Sequence, residues 1–161
     1  MRLGITSFAH LHAEVYINNL RNAPDVEFVG FSDLDAERGK HFADQFNAKW
    51  FDTHEALLRE GLDGVVVCSE NARHRELVEL AANAGVHVLC EKPIEVTLED
   101  AVAMRAVCET NNVKFMTAFP VRFADTPQKV KAKLDNGDLG RIYAINGINH
   151  SEIPLEHREW F

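Results

Sequence analysis

The chain has 161 residues, 46% hydrophobic and 26% charged, with a formal net charge of −8. That allows one full domain and at most part of another, and it leaves enough apolar side chain for a sizeable core. An acidic chain with no Lys/Arg cluster matches neither a nucleic-acid backbone nor an anionic membrane surface, and no stretch reaches the ~18 apolar residues that cross a bilayer.

In chain order, short apolar runs rich in β-branched residues alternate with stretches of helical period. A strand is predicted at Arg2–Thr6. Ala13, Ile17 and Leu20, at i, i+4 and i+7, then form one face of a helix that Asn22-Ala23-Pro24 closes. A second strand covers Val26–Phe31 and a third Gly64–Cys68. Leu77, Leu80, Ala81 and Ala84 make the next helix face, ended by Gly85. The fourth strand is Val86–Cys90. Thr97 with Asp100 reads as the cap of a helix carrying Ala101, Met104 and Cys108 on one side, before a fifth strand at Val113–Thr117. Several of these runs are apolar at consecutive positions, as in parallel strands covered on both faces. The expected fold is therefore α/β, a doubly wound parallel sheet.

The pattern changes after Phe119. Pro120 and Pro127 precede a helix at Gln128–Leu134, a turn at Asn136-Gly137 and a strand from Arg141 to Asn149, and a mixed polar tail runs from His150 to Phe161. Residues 1–119 are read as one domain and 120–161 as the beginning of an incomplete α+β domain. The edges of its strand would be unpaired and would recruit other chains, so a homo-oligomer is expected. Cys68, Cys90 and Cys108 form no CxxC pair and read as reduced, buried thiols of a cytoplasmic protein.

Ligands of such sheets bind beyond the carboxyl ends of the strands. The first of these ends is Thr6-Ser7-Phe8-Ala9-His10-Leu11-His12, where Ser7, Ala9 and His12 occupy the glycine positions of a dinucleotide fingerprint. The letters fail, but the context of strand, turn and helix N-terminus suits a phosphate. Asp33 follows the second strand, 33 − 12 = 21 residues after the last fingerprint position. An acid there accepts from ribose hydroxyls and repels a 2′-phosphate, which favours NAD over NADP. The plainer alternative is that Asp33 and Asp35 cap the next helix. His10 and His12 have no third ligand in sequence, so no metal is expected.

The strand-end segment Ala84-Gly85-Val86-His87-Val88-Leu89-Cys90-Glu91-Lys92-Pro93-Ile94 closely resembles the signature of the glucose-fructose oxidoreductase / inositol dehydrogenase / MocA family. Asp63–Cys68 leading to Asn71-Ala72-Arg73-His74, Ser32-Asp33-Leu34-Asp35 with Arg38, Phe119–Phe123 and Gly137–Ile142 resemble further pieces of it. The resemblance implies an NAD(P)-binding Rossmann domain of a dehydrogenase acting on a sugar, polyol or related hydroxy compound. It implies a catalytic Lys92 beside the nicotinamide and the reacting oxygen, with Glu91 anchoring the turn. Cys68, Ser69, Asn71 and His74 would line the nucleotide face together with Ser7, Phe8, Ala9, His10, Asp33 and Arg38. Arg122 would stand at the entrance to the substrate region. Glu70 departs from the family's usual proline. The family's Gly-rich stretch and Asp-x-x-x-His pair, whose His is the acid/base, have no counterpart here, and neither His150 nor His157 fits that motif. The chain alone is therefore expected to be inactive. A non-catalytic nucleotide-binding or regulatory module is the alternative.

Overall fold

The computed structural model describes residues 1–148 and 150. It divides into a unit covering Met1–Ala118 and a smaller one that begins at Phe119.

The first unit is a six-stranded sheet in the order β3-β2-β1-β4-β5-β6, parallel at every pairing. Its strands are β1 (Arg2–Thr6), β2 (Glu27–Ser32), β3 (Trp50–Phe51), β4 (Gly64–Val67), β5 (His87–Cys90) and β6 (Phe115–Thr117). The helices between them are α1 (His12–Asn22), α2 (Ala36–Phe46), α3 (His54–Leu58), α4 (His74–Asn83) and α5 (Leu98–Thr110). This is the doubly wound architecture read from the alternating pattern, with the strand order reversing between β1 and β4.

Side-chain alternation sorts the core into two layers. Val66 joins Ile5, Phe8, Ala13, Ile17, Phe31 and Cys68 on the α1 side. Its neighbours Val65 and Val67 point the other way, to Leu57, Leu77, Ala81, Met104, Cys90 and Cys108 beneath α3, α4 and α5. All four residues of β4 are buried, as its unbroken apolar run requires.

The helix ends follow their residues. Thr97 caps α5 by accepting from the Asp100 N–H at 3.1 Å. Gly85, at φ 73°, ends α4 in the left-handed conformation while the Val86 N–H reaches the Ala81 carbonyl. The buried face of α4 is Leu77, Val78, Ala81 and Ala82, turned by one residue from the face read in the sequence, so Ala84 lies exposed.

Two elements escape the sequence pattern. β3 has two residues and α3 has five, both too short for a period to register. In the second unit, a 3-10 turn (Pro120–Phe123) leads into α6 (Asp125–Asp135), and Gly137 turns the chain at φ 75°. The strand expected from Arg141 is absent: residues 141–148 are neither strand nor helix, and Ile145 and Ile148 are 79% and 83% exposed. A strand needs a neighbour to take its backbone N–H and C=O groups, and no described strand pairs with this segment. The edge-pairing argument for oligomers loses its basis over those residues. Asn149 and the readings on Pro154, His157 and Trp160 fall outside the described residues.

Candidate functional site

The loop after β1 keeps a glycine-like backbone without glycine. Ser7 sits at φ 66°, in the left-handed region that costs a side-chain-bearing residue ~1–2 kcal/mol. Two bonds hold it there: its N–H donates to the Ser32 carbonyl at 2.7 Å, and its Oγ accepts from the Ala9 N–H at 3.1 Å. Phe8 turns its ring inward against Phe31 and Phe42, with centroids 4.4 and 4.7 Å away, and so pins the loop to the core. Ala9 is partly exposed at the turn. The opening amides of α1 are largely committed, because the His12 N–H bonds His10 Nδ1 at 3.1 Å and the Ala13 N–H bonds the His10 carbonyl at 3.0 Å. What the helix offers an anion is chiefly the field of its N-terminus.

Asp33 is fully buried and its carboxylate is crowded. Arg38 grips it in a bidentate pair, Nε to Oδ2 at 2.8 Å and a terminal nitrogen to Oδ1 at 2.9 Å. The Phe8 N–H donates to Oδ2 at 2.8 Å and the Asp35 N–H to Oδ1 at 2.9 Å. The acid thus ties the β1 and β2 loops together. A ribose hydroxyl would have to displace Arg38 to reach it, which the sequence could not reveal. Capping of α2 falls to Asp35 alone, which accepts from the Glu37 and Arg38 amides; the Arg38 amide bond is the main cause holding its carboxyl below the usual range. Arg38 also stands 3.9 Å from Glu70, the residue in the family's proline position.

The third strand end carries Glu91 and Lys92. Glu91 is 0% exposed. Its Oε1 accepts from the Tyr16 hydroxyl at 2.7 Å and lies 3.1 Å from His12 Nδ1, while Oε2 accepts from the Lys92 N–H at 3.1 Å. Burial, with the Glu91 bond next, pushes the Tyr16 hydroxyl far above its usual range. Nearby, Lys92 Nζ lies 3.4 Å from His10 Nε2. His10 is itself buried, and that burial is the main cause lowering its pKa to about 4; Glu91 opposes the shift, and His12, Lys92 and His74 add to it. His74, also buried, places Nδ1 3.0 Å from the Pro93 carbonyl and 3.3 Å from that of Ile94, clamping the segment after Lys92 to the start of α4.

The folded His10 therefore resists protonation between 6.5 and about 4, whereas the unfolded chain takes up the proton there. Because the unfolded state binds more protons in that window, stability falls as pH drops through it and levels off below. In urea titrations at pH 7.0, 5.5 and 4.5, His10→Gln should lose less stability across the series than the parent. Parallel losses would refute this.

The remaining sequence candidates divide. Cys68 has a wholly buried side chain, and burial raises its thiol well above the normal range; only its backbone takes part, the carbonyl accepting from the His10 N–H at 2.9 Å. Its side chain packs in the core under α1. Ser69 is buried, with its hydroxyl donating to the Glu70 carbonyl at 3.2 Å, and Asn71 is partly buried at the 3-10 turn before α4. Arg122 is exposed in the second unit, where its carbonyl accepts from the Gln128 side chain at 2.7 Å. Sequence reading missed His12 and Tyr16 as partners of Glu91, 79 and 75 residues away. It also missed that His10, His12 and Glu91 bring potential ligand atoms within 4.8 Å of one another.

Comparison with known proteins gives a consistent result. The pattern of the glucose-fructose oxidoreductase / inositol dehydrogenase / MocA group, described as an oxidoreductase family with an NAD-binding Rossmann fold, matches residues 3–119. Myo-inositol 2-dehydrogenase of Thermotoga maritima is 28% identical over 96% of this chain and 46% of its own. A D-xylose 1-dehydrogenase (NADP+) of Haloferax volcanii is 30% identical over 96% of this chain and 47% of its own. The WlbA dehydrogenase of Bordetella pertussis, solved with NADH and UDP-GlcNAcA, superposes with a TM-score of 0.81 at 26% identity, over 89% of this chain and 42% of its own. The chain thus spans less than half the length of these relatives.

Proposed function

Since the chain belongs to the glucose-fructose oxidoreductase / inositol dehydrogenase / MocA family of oxidoreductases, we propose that it is the dinucleotide-binding portion of a longer dehydrogenase, one that moves hydride between a nicotinamide and a sugar, polyol or related hydroxy compound. The observation that carries the reading is convergence. The loop after β1, the acid after β2 and Lys92 after β5 all stand at the carboxyl ends of parallel strands, around the point where strand order reverses.

The residues fit a dinucleotide as follows. Ser7 at φ 66° keeps the turn that a diphosphate needs, and α1 points its N-terminus at it. Asp33 and Arg38 stand at the ribose end. The bound nicotinamide supplies the hydride acceptor or donor. Lys92 puts a cation where the substrate oxygen gains charge as its proton departs, and Glu91, His12 and Tyr16 hold the Lys92 backbone in place. The acid/base that takes the hydroxyl proton belongs to another part of that longer dehydrogenase in the same reading, and we expect a cytoplasmic setting. Among the described residues, no helix is long and apolar enough to cross a membrane.

Asp33 favours NAD, while Arg38 lying on it favours a 2′-phosphate, as a guanidinium does at that end of the fold. We expect NAD(H) to win, because the carboxylates of Asp33, Asp35 and Glu70 surround that guanidinium. Trp50 donates to the Asp33 carbonyl at 3.0 Å and reports on this end of the site. NADH should quench or shift tryptophan emission at lower concentration than NADPH. The reverse order would reassign the cofactor, and no change with either at millimolar concentration would sink the dinucleotide reading.

A further inference from the structure

We propose that Glu70 receives the Arg38 guanidinium when a ribose diol takes its place on Asp33, so that the ribose end of the site works by exchange and Glu70 decides which ribose is accepted. This rests on the dinucleotide reading above. Its basis is a mismatch between two carboxylates. Each Asp33 oxygen takes one backbone N–H, Oδ2 from Phe8 and Oδ1 from Asp35, and one further N–H from Arg38. Glu70 is the opposite case. Its Oε2 is buried and has no donor among the described residues. Its Oε1 stands 3.9 Å from Arg38, too far for a hydrogen bond. A buried acceptor left unpaired is costly, the more so on a charged group. The carboxylate has no capping duty either, since Glu70 precedes the 3-10 turn Asn71–Arg73 and its side chain makes no bond to it.

The guanidinium can pass between the two acids. The Arg38 side chain is 29% exposed, and its gap to Glu70 is about 1 Å longer than a charged hydrogen bond. Its departure opens one vacancy on each Asp33 oxygen and leaves both backbone amides in place. A vicinal diol fills the vacancies with two adjacent O–H donors, the same number that left. Glu70 meanwhile gains the donors its buried oxygen lacks. A 2′-phosphate brings no such pair, because the ester replaces one hydroxyl. It would also meet Asp33, Asp35 and Glu70 with their cation already engaged, whereas an arginine left free at this end accommodates that phosphate. Glu70 has φ −59°, an angle that proline also takes, so what it adds at the family's proline position is the carboxylate.

Removing that charge separates exchange from simple repulsion by sign. Were Glu70 only one more negative charge around the site, Glu70→Gln would tighten the binding of every anionic nucleotide. Exchange predicts that adenosine and NADH bind Glu70→Gln roughly tenfold more weakly, the difference between a charged and a neutral hydrogen bond, while adenosine 2′-phosphate binds more tightly. Glu70→Pro keeps the backbone angle and should behave in the same way. The exchange itself is read from the Arg38 Nε–H signal of the 15N-labelled chain, assigned by its absence in Arg38→Lys. Adenosine should shift that signal saturably, and 2′-deoxyadenosine, which has no vicinal diol, should not. A signal unmoved by adenosine, an equal shift with 2′-deoxyadenosine, or equal adenosine affinity in the parent and Glu70→Gln would each overturn the proposal. Adenosine carries neither diphosphate nor nicotinamide, so the two readings fail separately. No exchange with NADH still quenching Trp50 emission condemns the exchange alone, and a working exchange with no response to NADH condemns the dinucleotide reading alone.

Discussion

Asp33→Ala should cost the fold about 3 kcal/mol, near the lower end of the ~3–5 kcal/mol seen when one partner of a buried ion pair is removed. The carboxylate is fully buried and takes two bonds from Arg38 and one each from the Phe8 and Asp35 amides. Its loss strands a guanidinium and a buried N–H together. The lower end applies because the Arg38 side chain is 29% exposed and can swing toward water. Since much of the penalty is the stranded charge, Asp33→Ala combined with Arg38→Leu should recover part of it, a coupling visible in a double-mutant cycle of urea midpoints. Equal stability of the single and double variants would show that the pair contributes no such penalty. NADH binding should be lost in both, because Phe8 and its loop no longer have an anchor.

Gly39→Ala should destabilise by ~1–3 kcal/mol, although the same change inside an exposed helix usually gains about 1 kcal/mol. Gly39 lies within α2 under the Trp50 ring, and a methyl there would overlap Cε2 and Nε1 and come within 2.8 Å of Cζ2. The indole would have to lift, breaking its bond to the Asp33 carbonyl. Thermal unfolding should therefore move down, and Trp50 emission should shift to the red as the ring meets water. An unchanged or higher midpoint would mean that the ring yields without cost.

What could be read from the letters is what repeats locally. The long parallel strands announce themselves as apolar runs, and Gly85 and Thr97 mark helix ends by backbone chemistry confined to a few residues. Trp50–Phe51 is a strand only because β2 lies beside it, so no window of sequence carries it. Arg141–Ile148 shows the converse: β-prone letters with no described partner do not make a strand. The site behaves alike. Asp33, Arg38 and Lys92 were legible by position, but the Arg38 grip on Asp33 depends on side-chain reach across a loop. The Tyr16, His12 and Glu91 contacts exist only because β4 sets the ends of β1 and β5 on either side of itself.

The three cysteines have a use that packing alone does not suggest. All are at most 2% exposed and free, with Cys68 in the layer under α1 and Cys90 and Cys108 in the layer under α4 and α5. A thiolate is the reactive form, and burial raises all three thiols above their normal range. A thiol reagent therefore meets a silent surface until a layer opens. The chain carries its own stopwatch: modification of Cys68 timed against that of Cys90 and Cys108 reads whether the two faces of the sheet come apart as one event or in sequence.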